Sequence, residues 1–316
     1  VKTEKIPSSM LKPMLATLVD SAFDDEKWVF ETKWDGFRII ARIVDDDVTL
    51  FSRGGKNVTK IYMPVAAALK KLKHTAVLDG ELVAFDKNGL SRFQLLQNIR
   101  SEKIKLCYCV FDLIFLDGKD LRERPLIERK SLLKRVLPKD QFLKYSKHVS
   151  KRGKWFFEKA KRAGLEGIMA KLTLSIYHSG RRTREWLKIK TTLRQEVVIV
   201  GFTKPSGSRR YFGSLVLAVR DKKGWSYVGR AGTGFDSAAL RMIYEKMKPL
   251  IRSDKPFDQE IPEENATTWI EPQLVGEVKF TEWTRDGQMR HPAFVGLRDD
   301  KRAVSVTREK TLPAKR

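Results

Sequence analysis

The run L-C-Y-C-V-F-D-L-I-F-L at residues 106–116 limits the fold more than any other stretch. Its β-branched and aromatic residues, its single charge and the Asp-Gly pair that follows predict a strand buried on both faces and closed by a turn. Such a strand needs one packed layer above it and another below. The runs W-V-F-E-T-K, F-R-I-I-A-R-I-V, V-T-L-F-S and A-V-L-D-G-E-L-V-A-F read as further strands. Two helices accompany them. Residues 65–73 have helical composition and end in basic residues. Residues 151–163 form a basic helix expected to carry Trp155, Phe156 and Ala160 on its buried side, with Gly164 as its stop.

The pattern changes after W-L-K-I-K, and a boundary is expected between residues 191 and 194, giving domains 1–192 and 193–316. In the second, Q-E-V-V-I-V-G-F, F-G-S-L-V-L-A-V-R, W-S-Y-V-G-R, L-V-G-E-V-K-F and A-V-S-V-T read as short strands, interrupted by one helix at 237–248. That count suits a small Greek-key barrel of the OB type. The fold class is therefore α+β: antiparallel sheets flanked by helices, followed by an OB-fold barrel.

With 316 residues, 41% of them hydrophobic, the chain can bury a sizeable core in each domain. Its 63 basic and 39 acidic residues leave a net charge of +24, which points to a polyanionic partner. Residues 1–193 hold 40 basic and 23 acidic residues (+17), residues 194–316 hold 23 and 16 (+7), so the first domain carries most of that potential. No run of 18 apolar residues exists, so no membrane-spanning helix is expected. The N-terminus lacks the apolar core of a signal peptide and begins with Val, as a processed chain or an excised module would. Cys107 and Cys109 on one face of a strand would lie about 7 Å apart, unsuited to a disulfide. A reducing, cytoplasmic setting follows.

E-T-K-W-D-G-F-R at 31–38 brings a lysine to the end of an apolar run. Alone, K-x-D-G is a weak signal. It is followed in order by S-R-G-G-K-N-V-T (52–59), L-D-G-E-L (78–82), Y-C-V-F-D-L-I (108–114), E-G-I-M-A-K (166–171), W-L-K-I-K (186–190) and R-H-P-A-F-V-G-L-R-D-D-K (290–301). This ordered set resembles the motifs of the covalent nucleotidyltransferases: ATP-dependent DNA ligases, RNA ligases and capping enzymes. With G-S-R-R-Y-F-G-S and V-G-R-A-G-T-G-F in the second half, the likeness is greatest to the ligase domain of bacterial ligase D.

The resemblance implies that Lys33 attacks the α-phosphate of ATP and carries AMP. A free lysine is neutral in fewer than about one molecule in a thousand at pH 7, so its surroundings must favour the amine. It implies that Glu31 and the adjoining backbone at Thr32 read the adenine edge, that Phe111 stacks on the ring, that Arg38 and Arg53 hold phosphate and sugar, and that Arg182, with Arg181 and Arg184 as neighbouring alternatives, contacts the nucleotide. Glu81 and Glu166 would contact ribose and a Mg²⁺ or Mn²⁺ ion, and Lys188 and Lys190 would stabilise the α-phosphate. In a regular strand those two lysines share a face with Trp186, so a polar pocket is required there. Arg298 and Lys301 would orient the pyrophosphate leaving group, although Ala293 and Gly296 stand where many relatives carry basic residues.

The implied protein is a monomer acting on nicked double-stranded DNA at a bacterial nucleoid, with an end-binding protein of the Ku type as partner. Three rivals carry their own signatures. A capping guanylyltransferase would use GTP and an RNA 5′ end. An NAD-dependent ligase would need an NMN-binding domain. A purely nucleic-acid-binding protein would leave Lys33 unmodified.

Overall fold

The computed structural model describes residues 6–97, 104–205, 207 and 209–314. Val1–Lys5 and Ser208 of the G-S-R-R-Y-F-G-S stretch lie outside them. Two compact units result, Val1–Thr191 with Thr311–Arg316, and Thr192–Lys310.

In chain order the first unit contains β1 (Leu15–Leu18), β2 (Asp25–Thr32), β3 (Phe37–Val44), β4 (Asp47–Ser52), α1 (Met63–Leu69), β5 (Ala76–Phe85), α2 (Phe93–Gln97), β6 (Lys105–Leu116), β7 (Lys119–Asp120), α3 (Leu126–Val136), β8 (Leu143–Tyr145), β9 (His148–Lys151), α4 (Gly153–Arg162), β10 (Gly167–Leu172) and β11 (Arg182–Lys190). Two sheets form, ordered β1-β11-β10-β2-β9 and β4-β3-β5-β6-β7, with β8 beside β6. Pairing is antiparallel except for β1 with β11 and β6 with β8. β6 is buried from Leu106 to Phe115 and turns at Asp117-Gly118, both in the left-handed region, as its apolar run requires.

Val29 and Trp186 of the first sheet meet Ile40, Val77, Phe111 and Ile114 of the second in one core. α4 covers the other face of the first sheet, where Ala160 packs with Phe30, Ile168, Ala170, Leu187 and Ile189.

Several sequence expectations need correction. α4 begins at Gly153, where an added Cβ would meet the Phe30 ring at 2.3 Å, so the helix lies close on the sheet at that point. This close approach turns Phe156, Phe157 and Ala160 inward and leaves Trp155, expected to be buried, 42% exposed. The helix expected at 65–73 ends at Leu69 and tightens into a 3₁₀ turn, stopped by Lys73 in the left-handed conformation. The final residues, expected with the barrel, run along the first unit instead: Leu312 bridges Val19, and Arg184 donates to the Pro313 carbonyl at 2.7 Å.

The second unit holds β12 (Leu193–Thr203), β13 (Leu215–Arg220), β14 (Trp225–Ala231), α5 (Ser237–Met247), β15 (Ile251–Arg252), β16 (Thr267–Ile270), β17 (Val275–Phe280) and β18 (Ala293–Leu297). β12 pairs with β13, β16 and β17, and β17 with β18. A Thr233–Ala293 bridge brings the end of β14 to β18, so five strands curl into an OB-like barrel. α5 is capped by Asp236, whose carboxylate accepts the Ala239 N–H at 2.7 Å. The expected strand A-V-S-V-T is a 3₁₀ turn at Ala303–Ser305, joined to the end of β13 where the Arg220 N–H donates to the Val306 carbonyl at 2.7 Å and Thr307 bridges the same residue.

Candidate active site

β2 delivers Lys33 at its exit. The register of β2 on β10 sets Glu31 opposite Met169 and Thr32 opposite Ile168, and the Lys33 N–H donates to the Gly167 carbonyl at 3.0 Å. Gly167 is the pivot: its φ is 155°, and a Cβ there would lie 2.1 Å from the Ile189 carbonyl oxygen. That close approach sets Glu166 beside the lysine. Lys33 Nζ stands 2.5 Å from Glu166 Oε1, the lysine side chain 19% exposed and the glutamate 4%. Gly167→Ala is expected to destabilise the first unit by about 3 kcal/mol through overpacking and strain. Thermal melting checks this; an unchanged midpoint contradicts it.

Asp35 is buried, accepting the Phe93 N–H at 3.5 Å, while its own N–H donates to Ser91 Oγ at 3.3 Å. A Cβ on Gly36 would lie 2.1 Å from the Leu82 carbonyl oxygen. The W-D-G segment therefore anchors the loop after Lys33 against β5.

β11 is regular and antiparallel to β10, so Leu187 and Ile189 pack toward α4 while Trp186, Lys188 and Lys190 share the opposite face. Lys188 lies opposite Met169 and Lys190 opposite Gly167, both half-buried. Glu31 is on that same face, whereas Thr32 shares the α4 face with Ile168 and offers the site its backbone.

The polar pocket required on that face is an ionic one. Glu31 is enclosed, with Lys130 Nζ 2.7 Å from Oε1, and with Lys171 Nζ at 3.1 Å and Ser146 Oγ at 3.3 Å from Oε2. Burial pushes the Glu31 carboxyl up, but the charges of Lys130 and then Lys171 prevail and hold it below its ordinary value. Burial outweighs Glu31 at Lys171, bringing that ammonium down to about 8. An adenine reader at Glu31 thus has both oxygens already engaged, which the sequence reading did not foresee.

Arg38 differs from expectation in the same way. Its guanidinium clasps Asp79 at 2.5 and 2.6 Å, and Tyr177 donates to the same carboxylate at 2.5 Å. Burial opposes the Arg38 charge, but Asp79 keeps the group firmly protonated. Arg38 also faces Glu81 across the β3–β5 ladder. Between Asp79 and Gly80 the β6 register slips by one, making Phe111 the extra residue of a bulge. Its ring lies 4.5 Å from the Arg38 guanidinium and 4.2 Å from Lys171 Nζ.

Among the remaining expected residues, Arg53 is half-buried in the turn after β4, one position beyond the Ile39–Ser52 pair and hence alongside Arg38. Arg182 is not brought to Lys33. It opens β11, six residues and about 20 Å of strand from Lys188, and its guanidinium donates to the Ala16 carbonyl. Arg298 and Lys301 belong to the second unit. Arg298 clasps Asp300 with two bonds of 2.8 Å, and Lys301 pairs with Glu196 at 2.8 Å.

Sequence reasoning missed Asp79, Asp112, Arg129, Lys130, Lys171 and Tyr177, all buried. The available signal was a charge inside an apolar run, as in V-F-D-L-I and L-I-E-R-K. Among the described residues no group of three or more His, Cys, Asp or Glu side chains is placed to cage a metal ion. The carboxylates of Glu81 and Glu166 are the hard oxygen donors available to a hydrated Mg²⁺ that also binds phosphate.

No helix among the described residues is long and apolar enough to cross a membrane. Residues 13–190 match the ATP dependent DNA ligase domain family, and residues 208–301 match the ATP dependent DNA ligase C terminal region. The multifunctional non-homologous end joining protein LigD of Pseudomonas aeruginosa is 38% identical over 95% of this chain and 37% of its own length. LigD of Mycolicibacterium smegmatis is 36% identical over 94% and 39%. This chain therefore spans about two fifths of the length of these relatives. The solved structure of a mycobacterial DNA ligase D complexed with ATP and MES superposes with a TM-score of 0.74 at 34% identity, covering 96% of this chain and all of that one. Two family profiles matched in order along the chain, and a solved relative that aligns end to end, agree with the α+β unit and barrel seen here: the chain belongs to the ATP-dependent DNA ligase family.

Proposed function

We propose that this chain seals nicks between a 5′-phosphate and a 3′-hydroxyl in duplex DNA, using ATP and carrying AMP on Lys33. The observation that supports this most is Lys33 Nζ, half-buried at the exit of β2, 2.5 Å from Glu166, beside the sheet face that carries Lys188 and Lys190.

An ammonium paired with a carboxylate is no nucleophile, so the pair must part as the proton leaves. Glu166 is the acceptor in reach, and the charges of Lys188 and Lys190 favour loss of a third positive charge. The Lys33 amine then forms a bond to the α-phosphorus as the bond to the bridging oxygen breaks and pyrophosphate departs. Next, a 5′-phosphate oxygen displaces the lysine and takes the AMP. Finally the 3′-hydroxyl oxygen attacks that phosphate, giving up its proton as AMP leaves. Lys188 and Lys190 stabilise the charge that builds at the α-phosphate. A Mg²⁺ held through Glu81 or Glu166 would add further neutralisation of the phosphate oxygens. Glu31, Phe111, Arg38 and Arg53 line the rest of the nucleotide path in this reading, Arg182 at the far end of β11 stays outside it, and Arg298 and Lys301 serve the leaving pyrophosphate.

The LigD relatives, named for non-homologous end joining, support repair of DNA breaks in bacteria as the setting; an end-binding partner of the Ku type is part of the same proposal. Lys188→Ala is expected to slow AMP transfer to Lys33 about 10²–10³-fold, read from single-turnover adenylation with labelled ATP; an unchanged rate contradicts that role. The function itself is tested by incubating the protein with a singly nicked duplex, ATP and Mg²⁺. Sealing is expected only with a 5′-phosphate and ATP. Failure to seal, or sealing with GTP in its place, would overturn the proposal.

A further inference from the structure

α4 carries a surface that the reaction above does not use. Residues 151–162 contain six basic residues and one acidic one, a net +5 in under four turns. Arg152, Lys154, Trp155, Lys159 and Arg162 are all exposed. The Trp155 ring sits between Arg152, 4.7 Å from its centroid, and Lys159 at 5.3 Å. Arg152, Trp155, Lys159 and Arg162 follow the spacing of three and four that puts residues on one helical face. Glu158 is the single acid on the helix; beside it Glu26 pairs with Lys151 at 2.7 Å, and Asp24 accepts the Lys154 backbone N–H at 2.9 Å.

The position of this stripe decides what it can bind. α4 lies against Phe30, Ile168, Leu187 and Ile189, while Glu31, Lys188 and Lys190 face the other way. With layers spaced about 10 Å apart and a helix radius of about 5 Å, the stripe stands about 15 Å behind the strands that carry the site. Duplex DNA has a persistence length of about 50 nm, and bending even 20–30 base pairs by up to 90° costs about 1–6 kcal/mol or more. A duplex lying on the Lys33 face cannot cheaply wrap round to the reverse side.

We propose that the outer face of α4 docks the phosphate backbone of a second DNA duplex, so that one chain can hold two duplexes. The cations would neutralise phosphates along one strand, and Trp155 keeps Arg152 and Lys159 fanned apart by stacking with both. The choice of DNA rests on the ligase reading above; the choice of a separate duplex rests on the geometry of the sheet.

The test counts duplexes of about 16 base pairs bound per chain in low salt, for the wild type and for Lys154→Gln/Lys159→Gln/Arg162→Gln. A control variant, Lys70→Gln/Lys73→Gln/Lys87→Gln, removes the same charge from other exposed positions. Two duplexes per chain are expected for the wild type and the control, and one for the α4 variant. The second binding step should show a log–log salt slope of about −3.6 for four phosphate contacts, and weaken at least tenfold in the α4 variant. Transfer of AMP from ATP to Lys33, measured in parallel, should be unchanged in all three. One duplex on the wild type, two on the α4 variant, or equal loss in the control would each overturn the proposal. So would displacement of the second duplex's effect by preferential binding of an acidic peptide. Absence of the AMP adduct in the wild type would count against the ligase reading alone, since duplex counting does not depend on it.

Discussion

Lys33→Ala is expected to abolish transfer of AMP to the protein and to leave the fold intact. The side chain is 19% exposed and pairs with Glu166 rather than filling the apolar core, so its removal costs little packing. It does remove the Lys33 ammonium from the Glu166 carboxylate, which is 4% exposed, and a small drop in melting temperature is expected. Chemically the loss is complete, because no other amine replaces the P–N bond: the rate should fall by about 10⁴-fold or more, below detection. Lys33→Arg should behave the same way, since a guanidinium keeps its charge and still pairs with Glu166 but cannot supply a free lone pair. Labelled ATP and gel autoradiography provide the readout, with circular dichroism for the fold. Residual adenylation in the arginine variant would show that the nucleophile lies elsewhere.

The second large effect is on stability. Arg129 is wholly buried, and its guanidinium donates to both oxygens of Asp112, at 2.8 and 2.9 Å, and to the carbonyls of Ser175 and Arg124, at 2.9 and 2.5 Å. Burial disfavours that charge, and Asp112 overcomes the penalty and keeps the guanidinium protonated. Arg129→Met strands the Asp112 carboxylate in the core and should cost about 3–5 kcal/mol. For a unit of this size that corresponds to a fall of about 10 °C in melting temperature. Arg129→Met/Asp112→Leu removes both charges and should recover a large part of the loss, because an apolar pair of similar volume needs no desolvation. A double variant no more stable than the single one would show that the hydrogen bonds to Ser175 and Arg124 matter more than the ion pair.

The fold was legible where burial and periodicity agree. The 106–116 run, the Asp-Gly turn after it, the 153–162 helix with its Gly164 stop, and the strand-rich second half all follow from local pattern. What the pattern missed depends on contacts distant in sequence. Trp155 looks buried by its chemistry, and only the close seating of Gly153 on Phe30 turns it outward. A-V-S-V-T alternates like a strand but becomes a turn, since it meets β13 only at that strand's last residue, Arg220, through Val306 and Thr307. In the site, the motif order identified Lys33 and Glu166, which the structure brings into contact. It could not show that Glu31 and Arg38 are already clasped by Lys130, Lys171 and Asp79, because Lys130 lies in no motif and reaches Glu31 from α3.

Peptide mapping by mass spectrometry, after incubation with ATP and Mg²⁺, tests the central claim most directly. A single AMP should be found, on the peptide that contains Lys33, and hydroxylamine or acid should release it as a phosphoramidate behaves. An unmodified Lys33 peptide, or AMP attached to Lys188, Lys190 or any other residue, would contradict the account.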